Sequence, residues 1–281
     1  MAVLDYSSTV GPNGTDPIVV FVWYLLPTVV TVPPLGIPSN ALVIRLLLAK
    51  PGVCSTSEVF TLNLALFNLL FCFAFLIEYG VFLFNRTTEA ANFLSLGLTQ
   101  AGGPMLLSLL ALDGYLAVCH PLAFLRLKEP KLRPLLCVAV SAVTAACCAL
   151  GKISSKAKWD LIMAILCGAL LIISSCNARM LGSLRKSGPG GKAVHPVKKR
   201  AFKLVLTALL VVVLHYVPPV VEYVLRQHVG YLRPFSILTV VNHTLLSWGS
   251  LTQPLSYLVR TKQLPKARCH QNPPAQGTQS G

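Results

Sequence analysis

The chain has 281 residues, 54% hydrophobic and only 12% charged, with a mean hydropathy of +0.67. So little charge cannot cover the surface of a soluble domain of this length. The net charge is +15, and it would suit a nucleic-acid partner only if the cations gathered in one patch. Stretches of about 20 apolar residues, enough to cross ~30 Å of hydrocarbon, recur seven times. In chain order they are Ile18–Leu48, Val59–Phe84, Ala91–Val118, Leu135–Leu150, Trp159–Met180, Leu204–Leu225 and Phe235–Val259. The fourth is short. Soluble helices carry a polar face every turn, and stretches such as Leu204–Val213 have almost none, which argues against a soluble helical bundle.

These segments predict an all-α, seven-transmembrane helical bundle in one domain. A tail of residues 1–17 precedes residues 18–259, and a second tail of 260–281 follows. With the N-terminus outside, 18 of the 24 basic residues and three of the nine acids fall on the cytosolic side. Six of each remain outside, so the whole net charge faces the cytosol, as the positive-inside rule requires. The basicity is therefore topological, excludes nucleic acid as a partner, and favours anionic membrane lipid. Sequons at Asn13 and Asn85 lie on the outer side and are candidate glycosylation sites; Asn242 opens a third inside the seventh segment, where modification is not expected. No basic stretch precedes the first segment, so it is expected to direct insertion without a cleaved signal. None of the nine Cys falls in an outer loop, so no extracellular disulfide is expected.

Motif residues recur in order along these segments. The first ends Ser39-Asn40-Ala41-Leu42-Val43, and the second holds Leu62-Asn63-Leu64-Ala65 and Asn68. The third ends Asp113-Gly114-Tyr115-Leu116-Ala117-Val118-Cys119-His120-Pro121-Leu122. The sixth holds His215-Tyr216-Val217-Pro218, and the seventh Gln253-Pro254-Leu255-Ser256-Tyr257. Over about residues 17–262 this set resembles the rhodopsin-like (class A) G-protein-coupled receptors. It matches that family's Gly-Asn-x-x-Val, Leu-x-x-Asp, Asp-Arg-Tyr, Cys-Trp-x-Pro and Asn-Pro-x-x-Tyr patterns. The departures are Asn for Asp at 68, Gly for Arg at 114 and Gln for Asn at 253. The family's outer disulfide, the Trp of its fourth helix and the Pro of its fifth also have no counterpart.

The resemblance implies a receptor: an extracellular ligand biases a two-state bundle, whose cytosolic face then binds a heterotrimeric G protein or arrestin. It implies a pocket in the outer half, with Glu78, Tyr79, Phe93, Leu96, Gly97, Gln100, Tyr216, Glu222, Tyr223, Arg226, Asn242, His243 and Ser247 as candidates. Leu96 stands where amine receptors place an Asp, which argues against a biogenic amine. Lys152, Lys156, Lys158 and Arg226 could attract an anion, but Glu78 and Glu222 compete. Pro218, Pro219 and Pro254 remove backbone donors and are expected to bend their helices, as pivots or as static kinks. Asn40, Asn63, Asn68, Ser250 and Gln253 are expected to form one hydrogen-bonded cluster, because polar groups in hydrocarbon face the bundle interior. Neutral Asn68 attracts a cation poorly, so this cluster reads as a structural amide network. In the family the Arg at position 114 pairs with its neighbour and docks the G protein. Gly114 offers neither charge nor donor, leaving Asp113 without an adjacent partner. A non-signalling or decoy relative is the alternative reading. A transporter would need inverted repeats or paired charges along a path, and neither is visible. No enzyme motif, cofactor or metal site is present in the sequence; His120 and His195 are isolated.

Overall fold

The structure is a computed structural model and describes residues 17–50, 56–85, 95, 97–127, 129, 132–185, 196–229 and 237–263. Among them are seven long helices: α1 (Pro17–Leu48), α2 (Thr56–Asn85), α3 (Gly103–Cys119), α4 (Leu132–Ile153), α5 (Ser155–Arg185), α6 (Pro196–Val229) and α7 (Ile237–Gln263). A π-helical turn, Leu98–Gly102, leads into α3, and a short helix, Pro121–Leu127, follows it. No strand occurs among the described residues. Five helices are long and apolar enough to cross a membrane, through Leu25–Leu48, Ser57–Val81, Leu98–Cys119, Leu132–Leu150 and Lys156–Ser183; Leu209–Leu225 of α6 forms a shorter apolar stretch.

Hydrophobicity all round a helix leaves packing, rather than exclusion of water, to choose which face turns inward. The inward faces carry large apolar side chains such as Phe60, Phe71 and Leu166 together with most of the buried polar ones. Asn40 and Pro33 of α1 are buried, whereas Phe84, Leu122 and Leu171 lie outward and are 87%, 81% and 70% exposed. An apolar exterior around such a core, with the polar groups kept inside, is what an apolar solvent selects. Neighbours run in a ring: α1 against α2, α2 against α3 and α4, α3 and α4 against α5, then α5–α6, α6–α7 and α7–α1. The π turn sits inside the ring, touching α2, α4, α5 and α7. One apolar cluster joins α1, α2 and α3 around Val32, Phe71 and Leu106; another joins α5, α6 and α7 around Leu166, Val212 and Leu246.

Close approach is made possible by glycine. A Cβ on Gly36 would lie 2.8 Å from Cys72 Sγ, and one on Gly102 would lie 2.4 Å from the Phe67 ring. Helix α1 continues through Pro27, Pro33, Pro34 and Pro38, α6 through Pro218 and Pro219, and α7 through Pro254. In a bundle a freed carbonyl finds another donor: Ser250 O, which Pro254 leaves without its helical N–H, accepts from Asn40 Nδ2 of α1 at 3.0 Å.

Three expectations on the elements change. The fourth segment is not short, because α4 extends to Ile153. The loop expected over 151–158 reduces to Ser154, since α5 begins at Ser155; its amide bonds Leu150 O at 2.9 Å and its carbonyl takes Lys158 N at 3.1 Å. The third segment does not run as one helix, because Leu98–Gly102 adopts the wider π turn, closed by Gly103 N–H to Leu98 O. Gly97 and Gly102 let neighbouring helices approach the turn closely: a Cβ would lie 2.3 Å from Cys148 Sγ and 2.4 Å from the Phe67 ring. Lys50 and Glu58 pair between α1 and α2, and this carboxylate holds the Lys50 ammonium above its usual range.

Candidate functional site

The polar interior is assembled by helices far apart in sequence. Asn40 Nδ2 of α1 donates to Ser250 O of α7 at 3.0 Å, and Ser250 Oγ donates to Ser247 O at 2.7 Å. Asn68 Nδ2 of α2 donates to Gln253 Oε1 of α7 at 2.8 Å. Gln253 Nε2 in turn reaches the Tyr216 hydroxyl of α6 at 3.5 Å. The side-chain chain Asn68–Gln253–Tyr216 therefore ties three helices, and Asn40–Ser250 ties a fourth to α7. Neutral amides suit this depth, since each donates and accepts without carrying a charge into a low dielectric. His215, beside Tyr216, lies against Gly249, where a Cβ would sit 3.3 Å from its ring, and Nδ1 donates to Val211 O at 2.6 Å.

A cavity adjoins this network, bordered by Asn40, Thr61, Asn68, Gln253, Pro254 and Tyr257. About 20 Å³ of it is open to the centre of a water molecule, room for one. Asn40 Oδ1 is buried and accepts no hydrogen bond from the protein, so a water is the partner this site is shaped to take. The single cluster expected from sequence is two sets of bonds, Asn40–Ser250 and Asn68–Gln253–Tyr216, and Asn63 belongs to neither. Asn63 turns back on its own helix, donating to Val59 O at 3.2 Å, and it faces Cys137 of α4 instead.

The outer candidates take up structural work. Glu78 is buried, and its carboxylate accepts from both the amide of Ser95, at 3.1 Å, and the Ser95 hydroxyl. Lys158, expected as an exposed anion trap, is 2% exposed, and its charge acts on Glu78; Lys156 is the exposed one. Tyr223 of α6 donates to Asp160 of α5, and Asn242 of α7 donates to Glu222 of α6. Tyr79 and His243 are half-buried, and Gln100, on the π turn, is buried with Oε1 accepting no bond. Tyr216 lies at the amide network, 4% exposed, well inside the bundle. Phe93, Leu96 and Asn13 lie outside the described residues, as do the side chains of Asn85 and Arg226.

At the Cys119 end, Asp113 is 4% exposed, contrary to a carboxylate at an open helix end. It does not lack a cation either: Arg133 of α4, 5% exposed, acts on it. Gly114 leaves ordinary van der Waals space, with a Cβ there 3.8 Å from Met180 Cε. The Tyr115 hydroxyl is 2.9 Å from His120 Nε2, and Arg179 of α5 also engages Tyr115. Sequence reasoning missed Ser95, Lys158 and Arg133 as interior groups. The signal was present: Lys158 shares a spacing of three and four with Ile162, Leu166, Ala169 and Ile173, the buried stripe of α5.

Apolar helices of spanning length, an outward apolar surface and an interior amide network define an all-helical membrane protein. No protein-family model matches the chain, and no curated protein matches it.

Proposed function

We propose that the chain is a seven-span receptor of the rhodopsin-like G-protein-coupled type, with the N-terminus outside and the plasma membrane as its location. The observation that carries this reading is the convergence of Asn40, Asn68, Tyr216, Gln253 and Tyr257. These residues come from α1, α2, α6 and α7 and were singled out by motif resemblance; Asn68, Gln253 and Tyr216 share one hydrogen-bonded chain, and Asn40, Asn68, Gln253 and Tyr257 border one cavity. The ring order of the helices supports it, as does a charge distribution that puts all of the net +15 on one side. A polar hinge region between α2, α6 and α7 is where two packings of a bundle differ by few hydrogen bonds, which a two-state transducer needs. Glycosylation at Asn13 and Asn85 belongs to the same topology.

The ligand is extracellular, and its chemistry is left open. Glu78, Tyr223, Glu222 and Asn242 are engaged in ties between helices, so a ligand on this side competes with those bonds or enters beside them. A second reading, a decoy or non-signalling relative, is favoured by Gly114, by Asn68 and by the missing outer disulfide. Nucleotide exchange on heterotrimeric G proteins reconstituted with the purified chain, and arrestin recruitment in cells, test the proposal. Exchange or recruitment above that of empty vesicles supports a receptor; none with any G-protein class, in the native chain and in Gly114→Arg alike, favours the decoy.

A further inference from the structure

An arginine cannot shed its proton, so a buried one needs an anion. Arg133 sits in the first turn of α4, 5% exposed, at the head of the inward stripe Arg133, Cys137, Val140, Thr144 and Cys147. The described acids at this end of the bundle are three. Glu58 is paired with Lys50, and Glu129 is exposed. Asp113, near the end of α3 and 4% exposed, is the buried one, and α3 packs on α4. Arg179, the other cation close to this part of α3, is exposed and engages Tyr115. Each charge would be costly alone at such burial, and together they compensate.

We propose that Arg133 is the positioning partner of Asp113, so that a buried charge pair from α4 holds the Cys119 end of α3 where the neighbouring residue, Gly114, carries no charge. The consequence for signalling, that release of α3 from α4 limits transducer docking, rests on the receptor reading; the pair itself does not. Asp113 Oδ1 accepts no hydrogen bond, so the carboxylate is held without being saturated and keeps capacity for a second donor.

The test uses the full chain in detergent with Cys54, Cys148, Cys167 and Cys269 replaced by serine, leaving Cys119, at the last turn of α3, as the reporter among otherwise buried thiols. Four forms are compared: this parent, Asp113→Asn, Arg133→Gln and the double substitution. Thermal inactivation and the rate at which a polar maleimide labels Cys119 are measured. Each single substitution should speed labelling several-fold and lower the inactivation temperature, and the double should be milder than Asp113→Asn, which leaves the buried Arg133 charge without this carboxylate. Additive effects, or labelling unchanged in both singles, would overturn the pair. If a single variant is lost before purification, the amount reaching the membrane is scored in the same cycle: recovery in the double supports the pair, and equal loss refutes it. Basal nucleotide exchange is read in parallel. Coupled substitutions without exchange in any form would sink the receptor reading and spare the pair; exchange that Arg133→Gln leaves unchanged would sink the signalling consequence.

Discussion

At the scale of single residues, Gly114 is the position where chemistry and space can be separated. Its missing side chain opens ordinary contact space toward Met180, with Sδ 3.9 Å from a would-be Cβ, so the first atom of a side chain there meets no clash. A charged contact to a transducer contributes about 1.5–3 kcal/mol, which is roughly ten- to a hundred-fold in coupling. Gly114→Arg should therefore raise G-protein nucleotide exchange by that order; strong native exchange that the substitution does not improve would contradict the proposal. Gln253 is the second such position. Gln253→Leu leaves the Asn68 amide and the Tyr216 hydroxyl without their shared partner. About 1–2 kcal/mol should be lost, read as earlier thermal inactivation, while Asn63→Leu, outside the network, should cost less.

At the scale of elements, the entry into α3 decides how the Ser154 end is held. Glu78 of α2 accepts two bonds from Ser95, and Lys158 of α5 supplies the countercharge. These groups tie together helix ends that a disulfide joins in the family the motifs resemble. Glu78→Gln and Lys158→Met should each destabilise the bundle. Their combination should fall short of the sum by about 0.5–3 kcal/mol in a double-mutant cycle; an additive result would mean the two groups are independent. The π turn adds a packing test. A Cβ on Gly102 would meet the Phe67 ring at 2.4 Å and Thr144 Oγ1 at 2.9 Å, two neighbours with little freedom to move. Gly102→Ala should cost about 1–3 kcal/mol by overpacking; Gly80→Ala, where nothing lies within 4 Å, should cost far less.

At the scale of the whole molecule, the proposed topology places both tails by charge. A tag at the C-terminus should be reached by antibody only after permeabilisation, and one at the N-terminus on intact cells. A C-terminal tag accessible on intact cells would reverse the orientation and with it the assignment of the +15 face. Because the seven described cysteines in the helices are all free thiols, a membrane-impermeant reductant should leave the surface level unchanged. A clear loss would place a bridge at a cysteine outside the described residues.

Composition and spacing by themselves determined the helical class, the order of the apolar segments and the polar residues that belong inside. Those follow from local physics: hydrocarbon demands about 20 apolar residues per span, and it makes every Asn and Gln within a span seek another helix. That Asn40, Asn68, Ser250 and Gln253 belong inside was legible, because motif order placed them at similar depth; which pairs with which came from the fold. Tertiary structure alone decided which way Asn63 turned, since a short amide can satisfy itself on its own helix as readily as across an interface. It also decided the fate of the charges. Lys158 and Arg133 sit in the first turn of their helices, where reach to solvent and burial are both open to a long side chain, and the tertiary structure brings their charges to act on the buried carboxylates of Glu78 and Asp113.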